Sequence, residues 1–181
     1  MNRTSSLFGL LAAACLVSAS VLMPGIGRAQ ADARVAKSME TLKAMTAKLG
    51  APKIDGRQAI GGGLAIGGKD APGLFFGSTL VNNNFEIVDA IGEEDGKGMT
   101  ATLFVKDGDE YIRVSTSVPK PDGSGRAIGT VLAGPALESI KAGTAYYGEV
   151  PILGTPYITG YEPIKDGSGA IIGVYYVGYK K

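Results

Sequence analysis

The chain of 181 residues contains no His and no Trp, and it has one Cys. Without His it lacks the usual proton shuttle at physiological pH and the commonest protein ligand of zinc and haem iron. The 18 Lys and Arg residues nearly balance the 17 Asp and Glu residues, so there is no broad positive field to attract phosphate backbones. These absences argue against a nucleic-acid partner and against His-dependent catalysis.

The N-terminus has the pattern of a secretory signal peptide. Arg3 supplies the positive start, residues 7–17 form an apolar segment, and the small residues Ala29 and Ala31 follow a Pro-Gly break. We predict cleavage after Ala31, with cleavage after Ala29 as the alternative.

On this interpretation the chain divides into a signal peptide, residues 1–31, and one periplasmic or secreted domain, residues 32–181. Cys15 leaves with the signal peptide, so the domain has to be stable without disulfides. Two alternatives stay open. Residues 7–26 are long enough for an uncleaved membrane anchor, and residues 11–15 resemble a loose bacterial lipoprotein site in which Cys15 would be acylated.

A long helix is predicted at the start of the exported domain. Apolar residues recur at helical spacing between Asp32 and Leu49, and Gly50 and Pro52 end the pattern. Residues 53–76 are rich in Gly but lack both the G-x-G-x-x-G pattern and a Gly-Lys-Ser/Thr ending. They are interpreted as a Gly-rich loop or a bulged strand, and not as a phosphate-binding loop.

The remainder of the chain has the pattern of short strands joined by turns, with one short helix at residues 134–142. The predicted strands are residues 74–81, 85–89, 99–106, 110–118, 145–150, 155–164 and 170–179, and a polar loop is expected at residues 93–98. The predicted fold class is therefore α+β, with a long N-terminal helix followed by an antiparallel meander and a short inserted helix.

Several segments carry a more specific signal than periodicity. They are residues 82–89, the Gly98-x-Thr100-Ala101-Thr102-x-Phe104 segment, the Arg113 to Val118 strand, the turn of residues 122–130, and the long stretch of residues 143–178. In their order and spacing they closely resemble Cache domains, in particular the Cache 3/Cache 2 fusion type of single-Cache sensor.

The resemblance implies a fold in which a long N-terminal helix packs on a PAS-like antiparallel sheet. It also implies an extracytoplasmic sensor that binds a small molecule, often a carboxylate or an amino acid, and whose N-terminal helices can pair in a homodimer. Cache sensors usually continue into a second membrane helix and a signalling module, whereas this sequence ends at Lys181. We therefore expect a free-standing sensor that reports to a membrane receptor or kinase.

Five residues are candidates for ligand binding. Arg113 would offer a planar, permanently charged fork to a carboxylate, and strand alternation predicts Ser115 on the same face. Tyr147, Tyr157 and Tyr161 match family motifs near the expected pocket, and tyrosine combines an apolar ring with a polar tip. The alternatives are a surface Arg113 paired with a nearby acid, and tyrosines that only fill the sheet core.

Catalysis, metal binding and a cofactor find little support in the sequence. Without His, a nucleophilic Ser would need Lys as its base, and no Ser-Lys motif is present. The acidic run Glu93-Glu94-Asp95 does not have EF-hand spacing. We expect a non-enzymatic ligand-binding protein; the alternative function is a non-signalling accessory or ligand-scavenging protein of the cell envelope.

Overall fold

The computed structural model describes residues 26–60, 70–95 and 98–181. The predicted signal peptide up to residue 25, including Cys15, lies outside the described residues. The elements in chain order are α1 (Ile26–Ala47), β1 (Pro52–Ala59), β2 (Asp70–Phe76), β3 (Thr79–Leu80), α2 (Glu86–Asp95), β4 (Met99–Asp107), β5 (Glu110–Thr116), α3 (Pro135–Lys141), β6 (Tyr146–Ile152), β7 (Thr155–Lys165) and β8 (Ile171–Lys180).

The strands form two antiparallel sheets. The smaller sheet has the order β1-β2-β3, and the larger has the order β5-β4-β8-β7-β6. The larger sheet is not a simple meander, because β4 pairs with β8 from the far end of the chain, with Met99 opposite Tyr179 and Val105 opposite Gly173. The α+β class and the PAS-like arrangement of a long helix on an antiparallel sheet are confirmed.

Two hydrophobic cores lie on the two faces of the larger sheet. Consecutive residues alternate between them: Leu103 and Tyr175 belong to the core under α1, α2 and the small sheet, whereas Phe104 and Tyr176 belong to the core under α3. This alternation is what the two-residue period of a strand produces when both of its faces are covered.

Helix α1 packs on β7, β8 and α2. Val35, Met39 and Leu42 of the predicted apolar stripe are fully buried. The helix also makes polar contacts with the sheet: the hydroxyl groups of Ser38 and Tyr179 lie 2.8 Å apart. Because α1 begins at Ile26, it extends across the predicted cleavage site after Ala31, and that cleavage stays a prediction.

The prediction of a strand at residues 85–89 is wrong, because α2 begins at Glu86. The loop predicted from Glu93 is also wrong for residues 93–95, which form the last turn of that helix. Asn84 precedes the helix and accepts a hydrogen bond from the Glu86 N–H at 3.0 Å, as residues that cap a helix do. Val88 and Ile91 are fully buried on one face of α2. Their β-branched side chains are typical of a strand, so the sequence favours a strand here. Contacts with the core stabilise the helix instead.

The Gly-rich segment contains a bulged strand, as predicted. The register between β1 and β2 shifts between Asp55 and Arg57, and Gly56 at this point has a φ of 60°. A left-handed φ of this kind favours glycine. The glycines of residues 61–63 and 67–68 lie outside the described residues.

Candidate ligand-binding site

A cavity of about 350 Å³ lies on the α3 side of the larger sheet. Its walls come from the edge strand β5, from the segment that leads into α3, and from the β6–β7 hairpin. They consist of Arg113, residues 130–135, residues 150–153 and Tyr161. The volume is in the range of small-molecule sites in proteins.

The segment before α3 forms one wall because it follows the outer edge of β5. The Arg113 N–H donates to the Thr130 carbonyl oxygen, the Gly129 N–H donates to the Arg113 carbonyl oxygen, and the Leu132 N–H donates to the Tyr111 carbonyl oxygen, each at 2.9 Å. These bonds occupy the edge of the strand and hold Thr130 beside Arg113.

Arg113 is the most unusual residue of the site, since only 6% of its surface is exposed. Its Nη1 donates to the Thr130 hydroxyl at 2.7 Å, and its guanidinium carbon lies 5.1 Å from the centre of the Phe104 ring. The Nε has no hydrogen-bond partner, and none of the salt bridges in the described part of the chain involves Arg113.

Burial lowers the pKa of the Arg113 guanidinium, and the nearby Tyr176 and Tyr161 oppose this shift. Arginine keeps its charge even so, because its ordinary pKa is far above neutrality. The cavity therefore has a buried positive charge in its wall that the described residues do not neutralise.

Tyr161 lines the same cavity and is 3% exposed. Its ring packs against that of Tyr176, with the ring centres 4.9 Å apart. Burial raises the pKa of Tyr161, so its hydroxyl stays protonated and can donate a hydrogen bond. Tyr157 belongs to the same core and pairs with Val150 of β6, but it is not among the residues that line the cavity.

Ser115 does not lie beside Arg113. The register between β4 and β5 pairs Leu103 with Ser115 and Phe104 with Arg113, which leaves Val114 as an extra residue in β5. Directly opposed residues share a face of the sheet. The bulge therefore places Ser115 on the face covered by α1 and α2, and Arg113 on the face with the cavity. There the Ser115 hydroxyl donates to the Asn84 carbonyl oxygen at 2.5 Å.

Tyr147 also lies on the α1 side of the sheet, not in the cavity. Its hydroxyl donates to Glu162 Oε1 at 2.6 Å, and Glu162 Oε2 forms a salt bridge of 3.0 Å with Lys43 of α1. The neighbouring Tyr146 has its ring 6.2 Å from that of Tyr161 on the other face. Thus Arg113 and Tyr161 line one cavity, and Tyr157 lies in the core on the same side of the sheet without lining the cavity. Ser115 and Tyr147 are on the opposite face.

Sequence reasoning missed most of the cavity wall. Thr130 and residues 131–135 lie in a segment with no strand pattern, and residues 150–153 appear only as the end of a strand and its turn. The Gly134-Pro135 start of the short helix was the one signal that an element begins beside the site.

The described part of the chain offers neither a cluster of metal ligands nor a membrane-spanning helix. Among the residues that the structure describes, no group of three or more Asp, Glu, His or Cys side chains is placed to hold a metal ion. Over the same residues, no helix combines the length and the apolar character that crossing a membrane requires.

The fold and the cavity together define a PAS-like α+β domain with a cavity on one side of its larger sheet. Residues 29–181 match the family model of the Cache 3/Cache 2 fusion domain, and the chain belongs to this family. The family is known for extracellular sensing of small molecules, is generally non-enzymatic, and typically works with signalling partners. A comparison with curated proteins finds no match.

Proposed function

We propose that this chain is an exported sensor domain that binds a small organic anion or an amino acid through Arg113 and passes occupancy to a membrane signalling partner. The observation that supports it best is the buried guanidinium in the cavity wall, which no described carboxylate neutralises.

The chemistry of the wall favours a carboxylate. Burying a charge without a counter-ion costs free energy, and a bound carboxylate recovers part of that cost because its two oxygens fit the two-pronged guanidinium. The guanidinium of Arg113 makes one hydrogen bond, from Nη1 to the Thr130 hydroxyl, and its buried Nε makes none. The Tyr161 hydroxyl, kept protonated by burial, adds a neutral donor.

A route from the cavity to α1 supports the sensing part of the proposal. Tyr161 and Glu162 are consecutive on β7, so their side chains point to opposite faces of the sheet. Tyr161 lines the cavity, and Glu162 binds Lys43 of α1 and the Tyr147 hydroxyl. A ligand that moves β7 at Tyr161 would therefore change the contact between the sheet and α1.

The test is a thermal-shift screen of the purified protein against small carboxylates, amino acids and amines. We expect compounds that carry a carboxylate to raise Tm, because a ligand that binds only the folded state stabilises it. Amines should have no effect. Arg113→Ala should weaken binding about 10- to 100-fold, the size expected for hydrogen bonds to a charged group.

Arg57→Ala is the matched control, because Arg57 is an exposed arginine that pairs with Asp70 and Asp107 away from the cavity. It should leave binding unchanged. A screen in which no compound raises Tm would remove the sensor proposal, and equal binding by Arg113→Ala would remove Arg113 from the site.

A further inference from the structure

The described residues of the cavity wall carry a single charge. Among the described residues that form it, Arg113 is the one charged side chain, Thr130 and Tyr161 are the other side chains with polar groups, and the rest are apolar or Gly. No Asp, Glu or Lys is among them. A second ionised group of a ligand that lies against these residues would lose water without gaining an opposite charge.

The apolar part of the wall lies mainly on the β6–β7 hairpin. Val150 and Ile152 are buried in the cavity-side core, Pro151 has no N–H to donate, and Leu153 is at the tip of the hairpin. This side of the cavity offers surface for hydrocarbon and little for a second polar group.

Leu153 is an unexpected residue for its backbone position. Ile152 pairs with Thr155, so Leu153 and Gly154 form a two-residue turn, and their φ angles are 48° and 84°. Such turns favour Asn, Asp or Gly at both positions, because a leucine is strained at positive φ. Leu153 is also 41% exposed. The turn thus presents a large apolar side chain at the cavity where a polar residue would suit the backbone better.

We propose that the cavity selects a monoanion with an aliphatic tail, such as a short-chain monocarboxylate, in preference to an amino acid or a dicarboxylate. This inference rests on the function proposed above and narrows its ligand class. The carboxylate contacts Arg113 and Tyr161, because the Thr130 hydroxyl already donates its proton to the Ala127 carbonyl oxygen at 2.9 Å. The tail lies along Val150, Ile152 and Leu153. The ammonium group of an amino acid finds no carboxylate in the wall, and a second carboxylate finds no second cation.

Calorimetric titration of the purified protein with matched compounds tests the proposal. Affinity should rise from acetate through propionate and butyrate to pentanoate, about fourfold for each methylene that is buried. Norvaline is pentanoate with an added amino group, and glutarate is pentanoate with a second carboxylate in place of the methyl group. Both should bind at least tenfold more weakly than pentanoate, and pentylamine should not bind.

Variants of the hairpin test where the tail lies. Leu153→Ala should weaken pentanoate several-fold and leave acetate unchanged. Leu49→Ala is the matched control, because Leu49 is 37% exposed and lines a different, smaller cavity. Val150→Thr keeps the shape of the side chain but makes the wall polar, and it should also reduce the gain in affinity per methylene.

The outcomes separate this inference from the function on which it rests. Binding of norvaline or glutarate as tight as pentanoate, lost in Arg113→Ala, would overturn the inference and leave the proposed function standing. Equal weakening of pentanoate by Leu49→Ala and Leu153→Ala would overturn the placement of the tail. If no carboxylate or amino acid binds, both proposals fail.

Discussion

The binding role that we propose for Arg113 would come at the expense of the stability of the ligand-free fold. The residue is 6% exposed, its Nε is without a hydrogen-bond partner and burial lowers the pKa of its guanidinium, so the ligand-free fold retains a charge that it solvates incompletely. Arg126 is a useful contrast, since its Nη1 and Nη2 bind both oxygens of Asp89, at 2.6 and 2.9 Å.

We therefore predict that Arg113→Met stabilises the ligand-free protein, by on the order of 1 kcal/mol, because an apolar side chain replaces an uncompensated buried charge. The same variant should lose anion binding. Urea unfolding of the ligand-free protein measures the first effect. Arg126→Met is the control and should destabilise, because it breaks a two-bonded salt bridge. A loss of stability in Arg113→Met as large as in Arg126→Met would show that the Arg113 charge is compensated in the fold.

At the residue scale, two of the five candidates named from the sequence, Arg113 and Tyr161, line the cavity, and their role in binding stays a prediction. Arg113 was chosen for its residue type and its match to a Cache motif, and Tyr161 and Tyr147 for their match to Cache motifs. Ser115 was placed beside Arg113 by strand alternation, but one extra residue in β5 moves Ser115 to the other face. The sequence of residues 113–115 does not predict that bulge, because the bulge depends on how β5 pairs with β4.

Among the elements, β4 and β8 show the closest packing of backbone on backbone. A Cβ added to Gly173 of β8 would lie 2.3 Å from the Phe104 carbonyl oxygen of β4, far inside contact distance. Position 173 must therefore be a glycine if β4 and β8 are to keep their spacing.

Gly173→Ala is accordingly predicted to destabilise the protein by about 2 kcal/mol or more, because two central strands would have to separate. Gly167→Ala in the β7–β8 turn is the control: an added Cβ there has open space and no left-handed φ. It should be neutral or slightly stabilising. Thermal and urea unfolding of both variants measure the difference, and similar midpoints for the two would contradict the close approach.

Helix α1, helix α3 and strands β4 to β8 were predictable as elements because each has a clear period and Gly, Pro or Asp at its ends. Helix α2 was not, because Ile87, Val88 and Ile91 are typical of strands when they are taken alone. Its helical state depends on the core that α1 and β4 supply, and this tertiary effect outweighs local propensity.

In the molecule as a whole, both faces of the larger sheet are covered. Buried tyrosines belong to the hydrophobic cores on both faces. Burial raises the pKa of Tyr161, Tyr175 and Tyr176 above the ordinary value of 10. Tyr175 also has its hydroxyl 3.2 Å from that of Thr46 of α1, so the tyrosines belong to both cores.

These shifts predict a loss of stability at alkaline pH. In the unfolded chain the tyrosines release their protons near pH 10, while the folded chain holds them to higher pH, so the free energy of unfolding decreases as pH rises above about 10. Below that pH their contribution is constant. Urea unfolding between about pH 8 and pH 11 measures this slope. Phenolate absorbance should appear together with unfolding; its full appearance in the folded protein would contradict the prediction.

The order of the strands is the part of the whole fold that local patterns do not contain. Strand β4 is followed along the chain by β5, yet its other neighbour is β8, which begins at Ile171. That pairing depends on how the apolar faces of the strands and the helices fit together in the whole fold. The PAS-like arrangement was predicted from the resemblance to the Cache family. Periodicity alone predicted a simple antiparallel meander.

The segment that follows β5 has a consequence for how molecules of this protein behave beside one another. By bonding to Tyr111 and Arg113 it covers one edge of the larger sheet. At the other edge, Pro151 of β6 offers no N–H, and the exposed Glu149 carries a charge that Lys181 binds at 3.0 Å. Uncovered edges are where proteins add strands from one another and aggregate. With one edge covered and the other interrupted, the sheet resists growth into fibrils even when the protein is concentrated.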